Sequence, residues 1–224
     1  MRVNADFSKP VVITPVQQRW VHSAQMGVER VMLDRIGAEK ARATSLVRYA
    51  PGSFFPPHEH PGGEEILVLS GVFSEGNQHH AAGSYLRNPP GSSHQPYTDE
   101  GAVIFVKLMQ MHADDSTQVC IDTTRAELWQ SQGDFRNCIL FENAYERVEL
   151  IDLPPMTGLI TAAGLGHELL LLEGQLLIDG NLLPSGSWVR FPPTIPLNAI
   201  ADGCGATLYL KVGKSEDHGG AAKK

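Results

Sequence analysis

Cysteine is scarce: Cys120, Cys138 and Cys204 are the three in 224 residues, widely spaced and with no CxxC pair. An odd count at such spacing excludes a disulfide framework and a cysteine zinc finger. Charge is sparse too, with 19% charged residues and a formal net charge of −7. That balance gives no basic face for phosphates, so nucleic acid is not the expected partner. Aromatics are 7%. The longest unbroken apolar runs, such as 169–172, fall far short of the ~20 residues a membrane span needs, and no membrane association is expected. Residues 1–16 contain an early arginine but no apolar stretch followed by small residues, so no secretory signal is read and the cytoplasm is the expected compartment.

The chain has glycine and proline instead, 22 and 15 of them, about one residue in six, above the roughly 12% of average usage. Apolar residues make up 42%, enough for a core, and the length allows one large domain or two small ones. Short apolar runs at 43–49, 65–69, 103–109, 159–162, 169–172, 175–178, 188–191 and 207–212 are separated by Gly, Pro, Asn and Asp. That pattern predicts an all-β sandwich or barrel. A helix is expected only at 123–132, capped by Asp122 or Thr123 and closed near Gly133. The last eleven residues, 214–224, read as a solvated tail.

An internal repeat organises the chain. Val28-Glu-Arg-Val31-Met-Leu33 matches Tyr145-Glu-Arg-Val148-Glu-Leu150 at an offset of 117. Glu65-Ile-Leu-Val-Leu-Ser-Gly71 matches Glu168-Leu-Leu-Leu-Leu-Glu-Gly174 at 103, as Gly83 does Gly186 and Pro89 does Pro192. Phe105-Val-Lys107 matches Tyr209-Leu-Lys211 at 104. The fall from 117 to 103 implies a 14-residue deletion in the second copy. The expected organisation is a first domain at 1–113, a linker with a short helix at 114–136, a second domain at 137–213 and the tail at 214–224.

The first copy carries the chemistry. Five residues after Gly52 comes His58-Glu-His60, then three residues, Glu64, six more and Gly71. A second block runs from Gly83 through Pro89-Pro-Gly91 to His94. On a strand, His58 and His60 face the same way. Glu64 returns a carboxylate across the Pro61-Gly62-Gly63 turn, and His94 adds a third imidazole. Three neutral imidazoles and a carboxylate suit Zn, Fe, Mn, Ni or Cu, with positions left open for water or substrate. Glu65 is a rival for Glu64; successive strand residues face opposite ways, and the six-residue spacing to Gly71 selects Glu64.

These blocks resemble the two signature motifs of the cupin superfamily, G(X)5HXH(X)3-4E(X)6G and G(X)5PXG(X)2H(X)3N. Every spacing is kept, and only the final Asn is replaced, by Thr98. The resemblance implies an antiparallel β-barrel, a double-stranded β-helix, with a metal held by His58, His60, Glu64 and His94. With the repeat, it implies tandem barrels, a bicupin. The wording around 15–112, including Thr44-Ser-Leu-Val-Arg-Tyr-Ala-Pro-Gly52 and Tyr85-Leu-Arg-Asn-Pro-Pro-Gly-Ser-Ser-His94, is similar to the cupin domain of ChrR-type anti-sigma factors. In that family a zinc-binding cupin follows a helical, sigma-factor-binding domain with an HxxxCxxC zinc site and acts in transcription regulation under oxidative stress. Here no cysteine precedes Cys120. The metal-binding cupin is therefore expected to carry over, and sigma-factor binding is not.

The resemblance implies a divalent metal, zinc first and iron, manganese or nickel next. It also implies a sensory or regulatory module with a protein partner or small ligand, able to form a homodimer. The competing reading is a metal-dependent dioxygenase or isomerase acting on an enol or diketone-type substrate; no catalytic residue is assigned. In the second copy, offset 103 places Thr161, Ala163, His167 and Leu197 opposite the four ligands, so that barrel is expected to be degenerate and metal-free. His79 and His80 read as an exposed polar turn, Tyr97 as a rim residue and Arg87 as salt-bridged.

Overall fold

Strands dominate because alternating apolar side chains are broken every few residues by turn formers. The structure, a computed structural model, describes residues 1–38 and 40–213, and the tail expected at 214–224 lies outside them. All sheet pairing is antiparallel. Among the described residues the helical elements are two 3-10 turns, Pro15–Gln17 and Ala126–Leu128. The helix expected at 123–132 is not formed. Asp122 instead accepts hydrogen bonds from the backbone N–H and hydroxyl of Thr124 in a local turn, the alternative that Asp offers a backbone. Gln130–Gln132 is a strand paired with Phe135–Glu142. So short a segment lacks the tertiary support that isolated helices need.

The chain divides into two compact units. The first combines Met1–Ala5 with Gln18–Ala126; the second combines Asp6–Gln17 with the residues from Glu127 onward. Val11–Ile13 belongs to the second unit because it pairs with Trp188–Phe191 as an edge strand. Within 114–136, Val119–Asp122 pairs with Ser84–Asn88 and extends the first unit's sheet.

In the first unit the main sheet runs Arg2–Val3, Val28–Gly37, Ala41–Tyr49, Ala102–Leu108, Glu64–Glu75, Ser84–Asn88, Val119–Asp122. The long strand Glu64–Glu75 bends at Gly71. Its first part pairs with Ala102–Leu108 and Ser84–Asn88, and its last part with Gln78–Ala81 and Pro96–Thr98. One strand thus serves two sheets, which rolls the unit into a jelly roll around Val28, Ile66, Val68, Phe73, Leu86 and Ile104.

The second unit repeats this order as Gln130–Gln132, Phe135–Glu142, Glu146–Leu153, Asn198–Gly213, Gly166–Ile178, Trp188–Phe191, Val11–Ile13. The repeat reaches the irregularities. A register shift skips Leu33 in one unit and Leu140 in the other, and another skips Leu69 and Leu172. A buried Lys–Glu–Arg row crosses three strands in each, Lys107–Glu65–Arg87 and Lys211–Glu168–Arg190.

This register overturns the 14-residue deletion. Tyr49 pairs with Ala102 as Leu153 pairs with Ala206, so Glu146–Leu153 is the counterpart of Ala41–Tyr49, not of Val28–Gly37. The offset stays at 103–104 from Ala41 onward. The shared Glu-Arg-Val is a coincidence between strands with similar in–out alternation.

Candidate metal centre

The predicted His-Glu-His lies on the strand His58–His60, which pairs with Ser92–His94 so that His58 sits across from His94 and Ser92 across from His60. Glu64 opens the next strand, across the turn at Gly63 (φ +76°). Pairing of that strand with Ser84–Asn88 sets Asn88 opposite Glu64. Two antiparallel strand pairs therefore deliver four donors to one place. The ligand atoms of His58, His60, Glu64 and His94 lie within 4.8 Å of one another, and this is the one such donor group among the described residues. His60 Nε2 and His94 Nε2 are each 3.3 Å from Glu64 Oε2. Glu65 turns the other way and accepts from Arg87 at 3.3 Å, so Glu64 is the one of the two that lies with the three histidines.

Each imidazole is fixed from behind through Nδ1: His58 by the Pro56 carbonyl (2.9 Å), His60 by the Ser92 hydroxyl (3.1 Å) and His94 by a Glu75 carboxylate oxygen (2.5 Å). Asn88 donates to Glu64 Oε2 at 3.3 Å. Glu75, Ser92 and the Pro56 carbonyl were not legible from the motifs. Glu75 lies beyond Gly71, outside both glycine-anchored blocks. Asn88 had a weak signal, standing immediately before Pro89 in the second block.

Burial depresses the basicity of His58, and it drives His60 down to about 3, with His94 and His58 contributing. Burial raises Glu64 against the opposing effects of His94 and Asn88. His94 goes the other way. Burial pushes it down, but its bond to Glu75 and the charges of Glu64 and Glu75 outweigh burial and hold it above the ordinary imidazole value. Glu75 is lowered to about 2 by its contacts with His80 first and His94 second.

The donor set fits a divalent cation. His60 Nε2 is buried with no hydrogen-bond partner, an arrangement that is costly unless something accepts its lone pair. Donors bound at roughly 2.1 Å from one ion lie no more than about 4.2 Å apart, so the cluster needs only small shifts to close on one.

Other residues singled out in the sequence fall as follows. His79 is exposed and hydrogen-bonded to Ser74, as expected of a turn. His80 is not: it is 6% exposed, on Gln78–Ala81, with Nε2 3.5 Å from Glu75 Oε1. A hairpin strand alternates its faces, so two adjacent histidines cannot share one environment. Tyr97 is tied to the Gly76 carbonyl. The three cysteines are free thiols.

In the second unit His167 is buried and shares a 2.6 Å hydrogen bond with Thr161. It lines a cavity of about 480 Å³ with Ile151, Leu159 and Leu210. Thr161 is bonded to the Leu197 backbone, the pairing that His58 and His94 make in the first unit. Burial lowers the His167 pKa below its ordinary 6.5. The unfolded imidazole therefore binds a proton that the folded one refuses, and His167 costs stability as pH falls below 6.5. Denaturant unfolding of chelator-treated protein at pH 7.5 and 5.5 is expected to show a smaller acid loss in His167→Gln than in the wild type. An equal loss would contradict this account.

Residues 8–112 match the family model described as the ChrR cupin-like domain. None of the curated proteins matches the chain. Among solved structures, a proposed dioxygenase from Nostoc punctiforme superimposes with a TM-score of 0.76 at 15% identity, over 92% of this chain and 83% of that one. The pirin YhhW from Escherichia coli, solved with nickel(II), gives 0.71 at 12% identity over 92% and 99%. An 11S allergen from the coconut Cocos nucifera gives 0.70 at 10% over 93% and 90%. At such identities the likeness is one of fold. Residues 8–112 are thus similar to the ChrR cupin-like domain, and the fold of the chain is the cupin-like jelly roll of these solved structures.

Proposed function

We propose that this protein is a metal-binding ChrR-like cupin of sensory or regulatory type, with one divalent ion, zinc in the first instance, held by His58, His60, Glu64 and His94. The observation that carries the reading is the convergence of three imidazoles and one carboxylate within 4.8 Å, each imidazole bonded behind through Nδ1. The regulatory half rests on the family match over 8–112. A bound divalent ion supplies positive charge and Lewis acidity at this point. The chain's own residues orient the donors and keep His60 and Glu64 out of bulk water. A change of metal or ligand would then be felt by the strand pair His58–His60 and Ser92–His94, and through it by a protein partner. The second unit is the metal-free lobe of a bicupin.

A second reading, a metal-dependent dioxygenase or isomerase, draws on the same donor set, which leaves coordination positions open. Protein purified without added metal distinguishes the two. The sensory reading expects close to one zinc per chain, no oxygen consumption, and a change in tryptophan fluorescence or protease sensitivity on treatment with hydrogen peroxide. That change is expected to be absent in His58→Ala. Iron, manganese or nickel with oxygen uptake would establish the enzyme, and identical behaviour with and without metal would defeat both.

No helix among the described residues is long and apolar enough to cross a membrane.

A further inference from the structure

The strand Glu64–Glu75 supplies two carboxylates to the same neighbourhood from its opposite ends. Glu64 faces the Nε2 side of His94 at 3.3 Å, and Glu75 faces the Nδ1 side at 2.5 Å. The imidazole of His94 is thus held between an acceptor on each nitrogen. The bend at Gly71 makes this possible by carrying the second half of the strand into the other sheet, where Glu75 pairs with Pro96 beside His94.

Glu75 is itself held. Its other oxygen, Oε1, is 3.5 Å from Nε2 of His80, a side chain 7% exposed on the return strand of the same hairpin. Nδ1 of His80 lies 3.8 Å from the sulfur of Cys120 on Val119–Asp122. The two Glu75 oxygens thus face one histidine each, His94 through a hydrogen bond and His80 at ion-pair distance.

The three backing groups differ in kind. Pro56 offers His58 a neutral carbonyl, and Ser92 offers His60 a hydroxyl that serves as donor or acceptor. Only His94 is backed by a charge. A carboxylate accepting Nδ1–H fixes the tautomer with the lone pair on Nε2 and raises that nitrogen's donor strength. It also adds a second negative charge beside that of Glu64, so that three neutral imidazoles and two carboxylates balance a divalent ion.

We infer that Glu75 is the positioning residue of the metal centre, acting through His94, and that His80 is the clamp that orients Glu75. The hairpin at 72–81, outside both motif blocks, thereby becomes part of the site. This inference rests on the metal reading above for its consequence, but its geometry is tested without metal.

Two measurements decide it. In metal-free protein labelled with nitrogen-15 on histidine, at pH 8.5, His94 is expected as the Nδ1–H tautomer in the wild type. It is expected to shift to Nε2–H or a mixture in Glu75→Ala. Cobalt(II) titration is then expected to show affinity weakened by about 100-fold in Glu75→Ala and about tenfold in Glu75→Gln, which keeps an acceptor but not the charge. His80→Gln should weaken it less than Glu75→Ala does. The cobalt d–d spectrum should move in Glu75→Gln while metal-free melting stays put, which a purely structural role would not produce. Nδ1–H retained in Glu75→Ala, or cobalt affinity within twofold of wild type, overturns the inference. A wild-type chain that takes up no cobalt defeats the metal reading instead, and the tautomer comparison still decides the role of Glu75.

Discussion

Chelation is expected to lower the melting temperature of the metal-loaded protein by about 10 °C, and His60→Ala is expected to melt at one temperature with or without metal. The argument is linkage: an ion that binds the folded chain alone stabilises it by ~4 kcal/mol when present at about 1,000 times its dissociation constant. In a chain of this size each kcal/mol moves the midpoint by roughly 2–4 °C. His60 is the ligand of choice for the test. It is 3% exposed, and its Nε2 has no hydrogen-bond partner within the protein, so its loss removes a donor that no neighbour replaces. Burial holds it neutral down to about pH 3, so no competing proton blunts the effect at neutral pH. His167→Gln supplies the control. That residue belongs to the second unit, which gathers no comparable donor group among the described residues, so its variant should keep the full shift. A wild-type midpoint indifferent to chelator would show that the four side chains converge for another reason.

The four donors that the structure gathers were legible in the sequence because their spacing follows from strand geometry. Alternation puts His58 and His60 on one face, and a tight Gly-containing turn returns Glu64 to it. The same alternation separates Glu64 from Glu65, and Arg87 takes the latter. Glu75 was not legible because its position depends on where a long strand bends and on which sheet it then joins, a tertiary property with no local signature. His80 failed for a related reason: a hairpin between polar residues reads as exposed, yet one face of this one is buried. The repeat was legible where glycines and charged residues are held in place, as in Glu65 and Glu168 or Gly83 and Gly186. It was misread at Glu-Arg-Val, where three residues on one strand resembled three on a strand with a different place in the sheet. The N-terminal strand Val11–Ile13 gave no hint of its destination, since an edge strand of three residues carries too little pattern to name its partner.

The glycines that anchor the motifs are expected to differ by several kcal/mol in what an alanine costs them, although the pattern writes them with one letter. Gly71 and Gly174 occupy the same bend in the two units, with φ of +71° and +77°. A Cβ at either would lie 2.0 Å from a backbone carbonyl, that of Gly101 in one and Gly205 in the other. The Gly101 carbonyl is held in place, since it accepts the N–H of Val72 across to the neighbouring strand. Gly52 and Gly91 share the left-handed conformation, with φ of +70° and +84°, but a Cβ there meets nothing within 4 Å. At these two positions alanine brings only the backbone penalty, about 1–2 kcal/mol. At Gly71 and Gly174 the same penalty is joined by a collision that only backbone movement relieves, and ~4 kcal/mol or more is expected. That is a large part of the roughly 5–15 kcal/mol by which domains are stable. Denaturant unfolding of the four alanine variants checks the order, and equal costs at all four positions would defeat it. The metal arm separates the units further. Gly71→Ala, at the bend that carries Glu75 to His94, should lose cobalt binding along with stability, whereas Gly174→Ala should unfold its own unit and leave the donor cluster of the other intact.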